Sequence, residues 1–169
     1  RGAGVGVGLS YWNFAHSMLG HALAPYVYMD IPFVQLPHFR LGIRPAIGVG
    51  FLTKTYVNTV PENQKYLSLE HSNRSVGSVT NCYFPEMLYL DFPITNGWSV
   101  GLSGGWYHFS NGSLRQPNSG YNIFAAEIAV RYQPNTKEPL KNIETKEKTP
   151  KNSKRWSIAL AATATGRQV

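Results

Sequence analysis

Apolar and polar residues alternate one for one over long stretches of this chain, and a period of two confines those stretches to extended strands with one apolar face. In residues 25–34, Val27, Met29, Ile31 and Phe33 alternate with Tyr28 and Asp30. In 41–57, Leu41, Ile43, Ile47, Val49 and Phe51 oppose Arg44, Gly48, Gly50 and Lys54. In 99–110, Val100, Leu102 and Trp106 oppose Ser99, Gly101, Ser103 and Gly105. In 121–132, Phe124, Ala126, Ile128 and Val130 oppose Glu127 and Arg131, and in 156–165 Ile158 and Leu160 oppose Ser157 and Thr163. Residues 83–92 make a further strand, blurred by Pro85 and Pro93.

Several of these segments reach the roughly 9 to 11 residues that a tilted strand needs to cross a bilayer. Alternation alone leaves two all-β folds open: an outer-membrane barrel with its apolar face in lipid, or a soluble up-and-down barrel with that face inward. The polar face is mostly Gly, Ser, Thr and Ala with occasional charges, which suits a cramped lumen better than a solvated exterior. Charge density points the same way: charged residues are 15% of the chain, where a soluble domain uses about a quarter. The 16 Lys and Arg exceed the 9 Asp and Glu by seven, an excess that would suit a phosphate-rich partner. Much of it sits in one place, however: Lys137, Lys141, Lys146, Lys148, Lys151, Lys154 and Arg155, with Glu138, Glu144 and Glu147, in the segment 133–155. That segment reads as a solvated linker or insertion. No basic residues interleave with aromatics on one strand face, so a nucleic-acid module is disfavoured.

The expected organisation is barrel strands over 1–132, the Lys-rich linker over 133–155 and a further strand over 156–169. Six or seven strands are countable, whereas bacterial single-chain barrels close with an even number of at least eight. The reading therefore expects a barrel of eight or more strands of which this sequence is an incomplete copy, beginning at Arg1 as a processed or excised chain. The lone Cys82 excludes an internal disulfide. Thr95-Asn96-Gly97 is a tight hairpin turn, while 58–78 and 111–120 are longer polar loops. Outer-membrane barrels keep short turns in the periplasm and long loops outside, which places Ser110 at the outer leaflet.

His108-Phe109-Ser110-Asn111 is the stretch with chemical content. Residues i and i+2 of a strand share a face, so His108 and Ser110 lie side by side. A serine hydroxyl becomes a nucleophile when a neighbouring base takes its proton, and His is the usual base near neutral pH. The same face carries Val100, Leu102 and Trp106, so on the membrane reading the pair points at lipid, where polar groups are costly. A bland reading, a pair resting at headgroup level, stays open on spacing alone.

The run His108-Phe109-Ser110-Asn111-Gly112, followed by Pro117-Asn118-Ser119-Gly120-Tyr121-Asn122, resembles the lipid A 3-O-deacylase family (PagL-like). Gly104-Gly105-Trp106-Tyr107 resembles it too, over about 95–132, with 48–56 similar more weakly. The resemblance implies an enzyme of the Gram-negative outer membrane that cleaves an ester-linked acyl chain from lipid A of lipopolysaccharide, without metal or cofactor. It implies Ser110 as nucleophile, His108 as general base, and Asn111 holding the oxyanion or the site geometry. The family's acidic third member falls on Asn122. An Asn can orient the imidazole but brings no charge to stabilise the imidazolium. A catalytically inactive barrel of the same ancestry, with a structural or lipid-binding role, is therefore one alternative, and a soluble ligand-binding barrel is another. Homodimerisation is left open.

Glu127 lies on the opposite face from Asn122 and is expected to ion-pair with Arg131 or Arg44 in the lumen. His71-Ser72-Asn73 has the wrong spacing for a shared face and reads as loop decoration. His16, His21 and His38 have no metal-ligand spacing. Tyr11, Trp12, Phe14, Tyr26, Tyr28, Trp98, Trp106, Tyr107 and Trp156 suit interfacial girdles. Arg74 and Arg115, in the outer loops, could reach lipid A phosphates, although a solvated charge is the simpler reading.

Overall fold

The computed structural model describes residues 3–60, 73–95, 97–133 and 157–165. Seven strands follow one another: β1 (Gly4–Asn13), β2 (His21–Gln35), β3 (Arg40–Leu52), β4 (Thr80–Thr95), β5 (Trp98–Ser110), β6 (Tyr121–Tyr132) and β7 (Ile158–Thr165). Each pairs antiparallel with the next in a single sheet. The sheet curls into a half-barrel of outer-membrane type, and among the described residues β1 and β7 do not pair with each other. β2 to β6 run 12 to 16 residues, longer than a globular domain needs. Pro85 sits buried inside β4 without breaking it, and the register shift expected of a strand proline falls between Pro93 and Thr95. The alternation expected to carry β3 through Val57 stops at Leu52. Beyond it Thr55 and Asn58 form a reciprocal cap on a single helical turn, α1 (Tyr56–Thr59).

One end of the sheet carries tight connections. Leu36 N–H donates to Phe39 O at 2.9 Å, and Gly97 turns the β4–β5 hairpin at φ 87°. The other end carries the segments 14–20, 53–60, 73–79 and 111–120. The Lys-rich segment read as a linker lies outside the described residues from 134 to 156, and Trp156 lies there with it.

The outward face is apolar over its whole width. Val5 is 82% exposed, Phe124 74% and Leu160 81%, and Val27, Ile47, Leu88, Leu102 and Ile128 are exposed between them. A continuous apolar surface of this extent has no place in water and matches a lipid-facing band. Glu86 is the one carboxylate on the outward face of the described strands. β1 takes part although its sequence gives little hydrophobic contrast: Val5, Val7, Leu9 and Tyr11 face out and alternate with Gly4, Gly6 and Gly8. Those glycines admit neighbours, since the Tyr28 ring lies where a Cβ on Gly6 would stand and the Tyr26 ring where one on Gly8 would.

The inner face is not the small-residue lumen expected. At the long-loop end it is filled by rings. Tyr83 and Phe109 are fully buried and stacked at 4.5 Å, and Trp12 meets Tyr107 edge-on at 4.9 Å. Phe14 meets Tyr121 at 5.0 Å, and Tyr26 meets Tyr83 at 5.8 Å. Trp12, Phe14, Tyr26, Tyr28 and Tyr107 are thus inside rather than in an interfacial girdle, while Tyr11, Trp98 and Trp106 do face out. Burial favours this arrangement because a half-cylinder of strands leaves a volume that only large side chains fill.

At the tight-turn end the inner face is ionic. Asp91 accepts from Arg40 at 3.0 Å and from Arg131 at 3.1 Å, and Asp30 pairs with Arg44 and with Arg131 at 3.5 Å. The Arg44 guanidinium also lies over the Tyr28 and Tyr89 rings, at 5.3 and 5.0 Å. This corrects the partner expected for Glu127. Its carboxylate takes neither arginine and instead accepts from Ser103 Oγ at 3.1 Å, Thr163 Oγ1 at 3.4 Å and Tyr107 OH at 3.5 Å. Register explains why: Glu127 stands opposite Ser103 and Thr163, while Arg131 stands opposite Ser99, nearer the turns.

Candidate functional site

β5 reaches the long-loop end with its residues alternating strictly. Tyr107 and Phe109 point into the aromatic packing, so His108 and Ser110 point outward. The two buried rings hold the strand rigid beneath the outward pair, as positioned groups require. His108 is stacked between Trp106, at 5.0 Å, and Phe84, at 6.4 Å. Phe84 is its cross-strand partner on β4, and Asn122 is its partner on β6.

His108 Nδ1 lies 2.9 Å from Asn122 Oδ1. With the amide oxygen as acceptor, the proton sits on Nδ1 and Nε2 keeps its lone pair. The imidazole edge is closed by the β5–β6 loop at Gly120. That residue has φ +74°, and an added Cβ would stand 2.8 Å from His108 Cε1 and 2.9 Å from Phe109 O. Both conformation and space therefore require glycine at 120.

Ser110 Oγ accepts from Asn118 Nδ2 at 2.8 Å and from Gly112 N–H at 3.2 Å. Two donors thus converge on the oxygen that would become the nucleophile. His108 and Ser110 do not hydrogen-bond each other here; the imidazole is engaged with Asn122 and the hydroxyl with Asn118. Sites of this kind are commonly loose before substrate arrives.

Asn111 follows the same alternation and turns the other way. It is buried, its amide donates to Ser78 Oγ at 2.8 Å and Arg115 O at 2.9 Å, and its backbone N–H donates to Asn118 Oδ1 at 3.2 Å. Its side chain is occupied in tying the loop down, and its backbone fixes the amide of Asn118.

A second loop braces the first. Asn73 donates from Nδ2 to Tyr121 OH at 2.6 Å and to Lys54 O at 2.8 Å, while its Oδ1 accepts from Ser75 N–H at 3.1 Å. Gly120 N–H then donates to Ser75 O at 2.8 Å. Gly77 lets the loops touch, since a Cβ there would stand 2.7 Å from the carbonyl oxygens of both Arg115 and Gln116. Asn73 is therefore a buried strut and not decoration; His71 and Ser72 lie outside the described residues. Asn118 and Asn73 escape a reading by spacing because parity does not run through loops. The visible signal for Asn118 was its place in Pro117-Asn118-Ser119-Gly120.

The remaining candidates stand apart. His16 Nδ1 accepts from Met18 N–H at 3.2 Å within a turn, and His21 Nδ1 meets Tyr11 OH at 2.9 Å on the outward face of β1 and β2. Among the described residues no three His, Cys, Asp or Glu side chains gather as a metal site. Arg74 and Arg115 are exposed on the two bracing loops. Cys82 is exposed directly across from Ser110.

A curled antiparallel sheet with an apolar exterior, and a His, Ser and Asn cluster on that exterior beside the long loops, defines an outer-membrane-type β-barrel protein. The model of the lipid A 3-O-deacylase family (PagL) matches residues 1–131, and the chain belongs to that family. The family comprises lipid A ester hydrolases of the Gram-negative outer membrane. No curated protein and no solved structure matches the chain.

Proposed function

We propose that this protein is an outer-membrane serine esterase that hydrolyses the ester at the 3-position of lipid A, with Ser110 as nucleophile and His108 as general base. The observation that carries the reading is the His108–Asn122 contact of 2.9 Å beside a Ser110 held by Asn118, all on the lipid-facing side. A diacylated or polyacylated lipid lying in the outer leaflet brings its esters to this depth without leaving the membrane.

The geometry supports a two-step acyl transfer. His108 Nε2 takes the Ser110 proton as Oγ attacks the ester carbonyl. Asn118 Nδ2 and Gly112 N–H, released from Oγ, are placed to donate to the oxygen that becomes negative. The imidazolium then protonates the sugar oxygen as its bond to the acyl carbon breaks, so that the sugar leaves with a free hydroxyl, and water, deprotonated by the same imidazole, attacks the acyl-serine and releases the fatty acid. Asn122 holds the tautomer and orientation of His108 without contributing a charge. Asn111 acts as a positioning residue, through its backbone bond to Asn118 and its amide bonds to Ser78 and Arg115.

A fluorophosphonate reagent tests the nucleophile. The reading expects phosphonylation at Ser110, mapped by peptide mass spectrometry, and loss of labelling in His108→Ala. Labelling of detergent-solubilised protein at other serines only would contradict it. Asn122 favours a second reading, a barrel that binds lipid A without turnover. Asn122→Glu separates the two: turnover by wild type, at whatever rate relative to the variant, supports the esterase, and activity present only in the variant supports the binding protein.

A further inference from the structure

Among the described residues, the full charges at the long-loop end are of one sign. The described carboxylates, Asp30, Glu86, Asp91 and Glu127, all lie within β2, β4 and β6. The described loops at that end carry Lys54, Arg74 and Arg115, each exposed. Arg40, Arg44 and Arg131 in the lumen are ion-paired, and among the described residues none of the three loop cations is.

Two of these cations are rooted beside the candidate site. The segments 73–79 and 111–120 lie against each other: Gly120 N–H donates to Ser75 O at 2.8 Å, and a Cβ on Gly77 would meet the carbonyl oxygens of Arg115 and Gln116. Arg74 therefore stands at the Gly120 end of this contact and Arg115 at the other. Gly120 closes on the His108 imidazole, and Arg115 O accepts from the amide of Asn111, the residue after Ser110. Both backbones are thus fixed next to the site while both side chains stay exposed. Lys54 differs, because its stem lies against Gly20 of the β1–β2 loop, where an added Cβ would stand 2.6 Å from Lys54 Cγ.

Resting on the esterase reading above, we propose that Arg74 and Arg115 bracket the substrate's headgroup and bind a phosphate carried by its sugar. The charge on the loops identifies the ligand. A guanidinium presents paired N–H donors that match phosphate oxygens. The place of the site identifies the source: a lipid whose ester reaches Ser110 from the outer leaflet has its acyl chains along the apolar strands and its sugar at the level of these loops. A phosphate on that sugar is remote from the bond that breaks, so the contact is equally strong before and during acyl transfer. It acts on KM and leaves kcat unchanged. Both arginines are solvated in the free protein, which holds each contact to about tenfold in affinity.

The test compares a synthetic 3-O-acyl glucosamine phosphate with its phosphate-free counterpart, alike in acyl chain, on detergent-solubilised full chain. Wild type should show the lower KM for the phosphorylated probe. Arg74→Gln and Arg115→Gln should each raise that KM by about tenfold and leave the phosphate-free probe unchanged, with fluorophosphonate labelling of Ser110 retained. Lys54→Gln removes a charge at the same end and should leave both probes unchanged. An unaltered KM for the phosphorylated probe in either arginine variant, an equal rise for both probes, or loss of labelling overturns the proposal. So does the same rise in Lys54→Gln, which would reveal a general field and not a bracket.

A second readout does not need turnover. The ether analogue of the phosphorylated probe, titrated calorimetrically into Ser110→Ala protein, should bind more tightly than the phosphate-free ether, and the difference should shrink when either arginine is also changed to Gln. Inorganic phosphate at the probe's concentration should not displace it; full displacement would assign the arginines to free phosphate and overturn the headgroup site, as would equal affinity for the two ethers. If wild type hydrolyses neither probe while the difference in affinity stands, the esterase reading fails and the headgroup site remains.

Discussion

The two ends of the inner face are built by opposite means. Behind the candidate site the sheet is packed with rings, Trp12, Phe14, Tyr83, Tyr107, Phe109 and Tyr121. Near the tight turns it is held by Arg40, Arg44 and Arg131 against Asp30 and Asp91. Ring packing fixes the strand on which it is built, because Phe109 and Tyr107 alternate with Ser110 and His108 and cannot turn without turning them. The ionic end ties four strands together at a distance from that alternation. The ring end thereby carries both stability and the geometry of the site, and the ionic end carries stability alone.

Phe109→Ala should break this arrangement hardest. Removing a fully buried ring is expected to cost about 3–5 kcal/mol, and equilibrium urea unfolding in detergent would report it together with loss of fluorophosphonate labelling at Ser110. Asp91→Ala takes the carboxylate from Arg40 and leaves Arg131 with Asp30 alone, and should cost about 3 kcal/mol, with labelling of the surviving folded protein retained. If labelling fell in proportion in Asp91→Ala as in Phe109→Ala, the two ends would not be separable.

Gly77→Ala acts on the site from outside the lumen. The added methyl must push the 111–120 loop at the Arg115 and Gln116 carbonyls, and Asn118 moves with that loop. Turnover should fall by about tenfold or more, as small displacements of positioned groups do, while stability changes by only about 1 kcal/mol. The smallest effect belongs to Glu127→Gln. Its bonds to Ser103, Thr163 and Tyr107 survive in altered form, so stability should move by less than about 1 kcal/mol. Turnover should be unaffected, since the carboxylate is on the inner side of β6. A large loss of turnover in Glu127→Gln would mean that this carboxylate, and not Asn122, serves His108.

How much of this was legible in the sequence follows from what a period of two can carry. Alternation separates faces, so His108, Ser110 and Asn122 were assigned to one side and Glu127 to the other. It does not report level along the strand, which is why Glu127 was expected beside Arg131 although Ser103 and Thr163 are its neighbours. Strand β1 escaped because glycines hold its inner positions, and their meaning appears only once the Tyr26 and Tyr28 rings are seen above them. The aromatic filling was misplaced for a related reason: Tyr and Trp suit both an interface and a packed lumen, and only closure of the sheet decides between them. Asn73 and Asn118 act from loops, where no period exists.

The central claim is that Ser110, on the lipid-facing side, cleaves an ester of lipid A. Mass spectrometry of lipid A incubated with the detergent-solubilised protein tests it most directly. The account predicts loss of a single ester-linked acyl chain with wild type and intact lipid A with Ser110→Ala. The same loss of mass with Ser110→Ala as with wild type would contradict it.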